Sequence, residues 1–210
     1  KASGQPYATF VQREFFGPLG LTQTSYCPSH PTDSHVAVGY QMKGDTMRVA
    51  DYLSMTHPFA AGALCSTVRD LVKWQRDLVA GKVVSPKSFE QMTTPDSLPG
   101  GRRMNYGFGL TVSQMGSKKV IAHGGGIFGF TTAGLFVPDD AINVAVFTNS
   151  EGGPDALAAN IARAVMGIPL VAAPQRLAPA PLRDIDRDRI PGVYDFGQLV
   201  LHVTVEGGRL

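Results

Sequence analysis

Cysteine, charge and long apolar runs are all scarce in this chain, and each scarcity excludes something. Its 210 residues include two cysteines and one tryptophan, and no apolar run reaches the length a bilayer helix needs. Cys27 and Cys65 are too few for a disulfide framework and form no CxxC pair. Their spacing predicts two unpaired thiols, one or both in the core. His30, His35 and His57 stand in no HExxH arrangement and beside no clustered carboxylates, so no metal is expected. Charged residues make up 17% of the chain and the formal net charge is +2. The basic pairs Arg102-Arg103 and Lys118-Lys119 stand apart from any stripe of stacking aromatics, which argues against nucleic acid as a partner.

What is present is a 43% apolar composition, globular in character. Both ends predict a piece of a longer protein. The chain opens on KASGQPYATF, with no methionine and no signal-peptide pattern. It closes on LVLHVTVEGGRL, a strand pattern with two residues beyond a Glu-Gly-Gly turn. A lone strand satisfies neither its backbone nor its apolar face.

Periodicity places the elements. Residues 5 to 16 predict an amphipathic helix, with Tyr7, Phe10, Val11 and Phe15 on one face and Gly17-Pro18 as its stop. Residues 22 to 60, rich in Pro, Ser, Thr, His and Gly, read as a long irregular segment wrapped around a helical lobe. CSTVRDLVKWQRDLVAGK carries the clearest helix: Thr67 and Asp70 make a capping pattern, Val68, Leu71, Trp74 and Leu78 make the stripe, and Gly81 is the stop. Trp74 is read as core and Asp70 as part of the cap. Ser85-Pro86 opens a short helix with Phe89 and Met92 inward.

From residue 106 the period becomes extended. YGFGLTVSQ, KKVIAH, TTAGLFVP and INVAVFTNS predict four strands joined by MGS, a glycine stretch and PDDA. A helix over PDALAANIARAVMGI then suits the sheet surface. A Pro/Ala linker is expected over 169–189, stiff and extended, with a β-rich module beginning at 190. Tyr106 is read as packing on its strand, although it could reach a cleft.

The stretch HGGGIFGF, residues 123–130, poses the functional question. Gly124, Gly126 and Gly129 match GxGxxG, but a dinucleotide site needs a helix immediately afterwards and FTTAGLFVP is strand-like. His-Gly-Gly-Gly also matches an esterase oxyanion loop, yet that site requires a GxSxG nucleophile elbow and the chain has none. Glycines beside a free strand edge offer a third use. Open N–H and C=O groups bind an extended substrate as an added strand, and a missing Cβ keeps the approach clear.

The third use agrees with a family resemblance. FFGPLGLTQTSY, then AAGALCSTVRDLVKW, then YGFGL followed by HGGGIFGFTTAGLFVPDDAINVAVFTNS, resemble the penicillin-recognising serine hydrolases in order and spacing. That group holds class C β-lactamases, DD-peptidases, esterases and D-amino-acid peptidases. The resemblance runs from about residue 4 to residue 167. It implies an α/β (α+β) domain over 1–168: an antiparallel sheet flanked by helices with a helical lobe, β-lactamase-like and incomplete. PGVYDFGQLVLHVTVEGGRL resembles the start of a small β-barrel module.

The family builds its site from Ser-x-x-Lys, Tyr-x-Asn, and Lys-Thr-Gly or His-x-Gly. Only the third occurs, as His123-Gly124-Gly125. By resemblance His123 is a catalytic residue, the Gly126 N–H is an oxyanion donor, and Gly124, Gly125 and Ile127 line the substrate. The nucleophile would come from a missing N-terminal segment of the same protein, and the chain alone is expected to be inactive. Gly129 reads as a bend. No cofactor is implied. A small-molecule or peptide substrate is, with a periplasmic or secreted location by resemblance. A histidine in place of lysine offers a weaker fixed charge at neutral pH, which suits an amide, ester or D-residue peptide at least as well as an anionic β-lactam. The alternative is a non-catalytic member that holds a peptide or cell-wall ligand in the same cleft.

Overall fold

The computed structural model describes residues 2–27, 36–172, 184–195 and 200–205. Contacts divide the chain between Ala172 and Ala173 into two units.

The first unit is organised by a four-stranded antiparallel sheet, β5 (Thr111–Met115), β6 (Lys118–Ile127), β7 (Phe130–Val137) and β8 (Ile142–Thr148), in that order. Its alternation sorts residues to two faces. Val120, Ala133, Leu135, Val137 and Val144 pack with Ala158 and Ala162 of helix α5 (Pro154–Val165). The opposite face carries Ile121 and Phe136, both fully shielded, and Phe136 stacks on Phe89 with ring centroids 6.5 Å apart. Phe89 lies on helix α4 (Pro86–Met92), which is capped by the Ser85 hydroxyl. The sheet thus lies between α5 and the helical lobe. Each large apolar side chain buried this way contributes about 1.5–3 kcal/mol.

Helix α3 (Val68–Val79) starts where the capping pattern places it: Asp70 N donates to Thr67 Oγ1 (3.3 Å). The Asp70 side chain does a different job from closing the cap. Its Oδ2 accepts from Gln23 N and Thr24 Oγ1, both at 2.8 Å, and so ties residues 23–24 to the start of α3. Trp74 meets Phe15 edge-on at 5.9 Å, joining α3 to the N-terminal helices.

Several expectations are corrected. The first helix does not stop at Gly17-Pro18. It runs as α1 (Tyr7–Val11), a wider π-helical turn over Gln12–Phe16, and α2 (Gly17–Leu19), ending on left-handed Gly20. Pro18 follows directly on the wide π-helical turn, at the second residue of α2. Residues 22–60 are not wholly irregular: β2 (Tyr40–Lys43) and β3 (Thr46–Val49) form a hairpin, and β1 (Ser25–Tyr26) pairs with β4 (Leu64–Cys65). The two cysteines are not free thiols. Cys27 and Cys65 are disulfide-bonded beside the β1–β4 ladder, packed with Met55 and Ala63. Their separation of 38 residues hid this contact from local reading.

The glycine stretch is not a connection either. Gly124, Gly125 and Gly126 are paired residues of β6, opposite Ala133, Thr132 and Thr131. The turn is Phe128-Gly129, with Gly129 at φ +79°. It abuts the base of the β2–β3 hairpin so closely that a Cβ on Gly129 would lie 2.5 Å from Ala50 Cβ.

In the second unit, Asp184–Arg189 forms a helix, α6, where an extended linker was expected. β9 (Gly192–Asp195) pairs antiparallel with β10 (Val200–Val203). Among the described residues these two strands close no barrel. The rest of the expected linker, residues 173–183, lies outside the described residues.

Two stability predictions come from this packing. Gly129→Val joins a disfavoured positive φ to a backbone clash, and should lower stability by about 2–4 kcal/mol in chemical denaturation. Asp77 is 5% exposed near the C-terminus of α3, and its carboxylate accepts from Lys73 and Lys82. The Lys73 hydrogen bond, then that of Lys82, holds the carboxyl below the usual carboxylate range. A depressed folded value means stability that is present above the unfolded value near ~4 and is lost as pH falls through the folded one. Asp77→Asn should therefore cost about 1–3 kcal/mol at neutral pH. That deficit should shrink in acid; a penalty of the same size at all pH values would remove the ion pairs as its cause.

Candidate active site

The site is built on one mismatch of strand length. β5 pairs with β6 only as far as Thr111 opposite Ala122, whereas β6 continues to Ile127 against β7. Among the described residues no strand covers the other side of 123–127. The sheet is closed at one end of β6 and open at the other.

Register shows which peptide groups face the opening. Val112 gives its N–H to Asn105 O (2.8 Å) rather than to β6, and Thr111 Oγ1 donates to Ala122 O (2.8 Å). Ala122 therefore turns its peptide groups toward β5. Direction alternates along an antiparallel strand. Gly124 and Gly126 consequently turn theirs to the same side, past the end of β5, where they meet open space. His123, Gly125 and Ile127 direct theirs to β7.

Side-chain positions divide the other way. His123 and Gly125 share the face that carries α3 and α4, while Gly124 and Gly126 lie on the α5 face. The three glycines are therefore glycine for separate reasons. A Cβ on Gly124 would meet Asp155 Oδ1 at 3.0 Å and Thr132 O at 3.3 Å, so the Asp155 side chain of α5 would have to shift to admit it. A Cβ on Gly125 would meet Thr132 Oγ1 at 3.1 Å and stand on the His123 face. At Gly126 the nearest atom is 3.7 Å away, ordinary contact. Residues 123–126 are all exposed.

Ile127 shares the His123 face, yet its side chain packs with the cluster of Cys27, Met55 and Ala63. It bounds the open stretch and is half-buried there. The disulfide-bonded ladder thus closes one end of the His123 face, leaving the imidazole and the space above Gly125 accessible.

Tyr106 is the residue that the local pattern misassigned. It is 40% exposed, so packing is not what holds it. Its hydroxyl is 2.8 Å from His123 Nε2, and the two rings meet edge-on with centroids 5.9 Å apart. The next residue explains the placement: a Cβ on Gly107 would lie 2.0 Å from Met92 O, so the chain lies directly on the end of α4. Only the seventeen-residue separation between Tyr106 and His123 was visible in the sequence, and no spacing rule joins the ends of two strands.

A hollow of about 490 Å³ lies elsewhere. It is lined by Met115, Lys118, Asp140, Val165 and Met166 among others, around an exposed Lys118–Asp140 ion pair (2.8 Å). That pair raises the Lys118 pKa, chiefly through its hydrogen bond to Asp140. Among the described residues no cluster of His, Cys, Asp and Glu could hold a metal, and no helix is long and apolar enough to cross a membrane.

Comparison with known proteins agrees with this fold. A family model described as Beta-lactamase matches residues 1–167. PbpX of Bacillus subtilis (strain 168), named as a penicillin-binding protein, is 31% identical over 114 residues, 54% of this chain and 28% of that protein. A D-aminopeptidase of Brucella canis is 24% identical over 168 residues, 80% of this chain and 32% of that protein. The octameric penicillin-binding protein homologue from Pyrococcus abyssi superposes with a TM-score of 0.70 at 26% identity, covering 99% of this chain and 48% of that one. The chain thus spans about a third of the length of these curated relatives or less. An antiparallel sheet between α5 and a helical lobe, an open glycine edge beside an exposed histidine, and a family match over four fifths of its length place this chain in the beta-lactamase family.

Proposed function

We propose that this chain provides one wall of the active site of a serine acyl hydrolase acting on amide bonds, with D-residue peptides as the favoured substrate class. The observation that carries the proposal is the convergence at one open edge of the free peptide groups of Gly124 and Gly126, the uncovered space at Gly125, and the exposed His123 imidazole. Such an edge aligns an extended acyl group by added-strand hydrogen bonding. The relative named as a D-aminopeptidase favours amides over other acyl compounds. A histidine at the lysine position also weakens the pull on an anionic β-lactam.

The reaction follows from these parts. A serine hydroxyl from a segment outside this chain attacks the substrate carbonyl carbon. Negative charge gathers on the carbonyl oxygen, where the Gly126 N–H donates. The C–N bond breaks, the amine leaves with a proton, and water then attacks the acyl-serine to release the acid. One preorganised oxyanion donor of this kind is worth roughly 3 kcal/mol in the transition state. His123 hydrogen-bonds the substrate or the proton relay beside the serine. The Cys27–Cys65 disulfide supports an oxidising compartment, periplasmic or secreted, as the place of work.

Two predictions test this reading. Residues 1–210 contain no Ser-x-x-Lys, so the chain alone should gain no covalent mass from a fluorophosphonate or a penicillin; an adduct on any of its serines would overturn the division of labour. When the nucleophile segment is present, His123→Ala should lower kcat/KM for a D-residue amide by roughly ten- to a thousand-fold, and Gly125→Val should block turnover. His123→Lys should keep part of the activity and change its pH profile, since lysine keeps a donor but makes its charge permanent. The two His123 variants should retain the melting temperature of the parent. Lower melting temperatures with unchanged kcat/KM would return the histidine to a structural role.

A further inference from the structure

Tyr106 stands outside the three motifs of the resemblance, yet its hydroxyl holds the exposed imidazole. We propose that Tyr106 is a positioning residue: its hydroxyl donates to His123 Nε2, fixes the ring, and keeps the imidazole proton on Nδ1. The nitrogen left for substrate or proton relay is then a neutral N–H donor. This inference rests on the functional reading above, in which His123 is the group that meets the substrate.

The contact has one favourable proton arrangement when the histidine is neutral. A neutral imidazole carries one donor and one acceptor nitrogen, and the hydrogen bond at one nitrogen decides which atom bears the proton. A phenol offers a hydroxyl donor, and an unprotonated imidazole nitrogen is a stronger acceptor than a phenol oxygen. At 2.8 Å, Nε2 is therefore the acceptor and Nδ1 carries the hydrogen. The edge-on meeting of the rings, 64° apart, limits rotation of the imidazole about its own axis.

The backbone around Tyr106 is fixed from three sides, which gives the hydroxyl a definite address. Phe108 N donates to Met92 O (3.1 Å), Gly107 N to Leu110 O (2.8 Å), and Val112 N to Asn105 O (2.8 Å). Tyr106 also bridges Thr111, the residue at which β5 stops pairing with β6. The same short β5 that opens the edge at Gly124 and Gly126 therefore leaves room for the phenol to reach His123. A tyrosine there serves the open edge without covering it, because the oxygen alone makes the contact.

Two arms test the proposal. The first needs no substrate. In the isotope-labelled 210-residue chain at about pH 8, long-range 1H–15N spectra should show the neutral form of His123 protonated at Nδ1 and bare at Nε2. In Tyr106→Phe, which keeps the ring and loses the hydroxyl, the Nε2 signal should move toward the protonated range. An Nε2–H tautomer in the parent chain, or spectra unaltered by Tyr106→Phe, would overturn the proposal.

The second arm uses the protein with its nucleophile segment. Tyr106→Phe should lower kcat/KM about tenfold with the melting temperature held within about 2 °C. In a His123→Ala background the same substitution should cost nothing further, because the hydroxyl acts through the imidazole. A full tenfold loss in that background would mean that Tyr106 acts by itself, and the positioning role would fall. Failure of the broader functional reading gives a different pattern: His123→Ala leaves kcat/KM unchanged while the tautomer shift in the first arm persists.

Discussion

The architecture of the candidate site depends on where β5 stops. Had β5 run four residues further along β6, the N–H and C=O groups of Gly124 and Gly126 would be spent on a sheet ladder. Its pairing ends instead at Thr111, and the chain before it is drawn away to the end of α4. Unpaired strand edges are usually hazards, because they template pairing with other chains. Here the exposed length is short and bounded. Tyr106 stands at its beginning, and the disulfide-bonded ladder covers Ile127 at its end.

Two independent packing constraints keep that edge in place. Helix α5 lies so near β6 that Gly124 tolerates no side chain without displacing Asp155. On the other face, a Cβ on Gly134, opposite His123, would come within 2.7 Å of Gln75 Nε2 on α3. The strand that presents the histidine is thus pinned between two helices at adjacent residues. Rigid placement matters because an oxyanion donor or a histidine displaced by an ångström loses most of its effect. The β6–β7 turn is pinned as well, where Gly129 and Gly39 pass back to back.

The helical lobe is fastened by polar and covalent contacts as well as by its apolar cluster around Val11, Phe16 and Leu21. Asp70 accepts from Gln23 and Thr24, the Thr24 hydroxyl pairs with Ser66, and Cys27 is bonded to Cys65. All of these join residues 23–27 to 65–70. They hold in register a segment with too few large apolar residues to pack itself. The resulting cluster of Cys27, Met55 and Ala63 is what receives Ile127 and closes the far end of the cleft.

Much of this was legible along the chain. Local periodicity located α3, its Thr67 cap, α4, the four strands and α5, because each depends on side chains three, four or two residues apart. The order of motifs identified the family, and His123 with its glycines marked the candidate site. Contacts between distant segments were beyond that reading. The cysteine pair, Asp70 as a tie to residues 23–24, the different surroundings of Gly124 and Gly125, and the packing of Ile127 on the disulfide cluster all follow from faces and registers. Tyr106 is the sharpest case: sequence alone placed a tyrosine at the start of one expected strand and a histidine at the end of the next, whereas β5 begins only at Thr111. Only the tertiary structure decided that they meet, because the early end of β5 and the close approach of Gly107 to α4 bring the phenol oxygen to the imidazole.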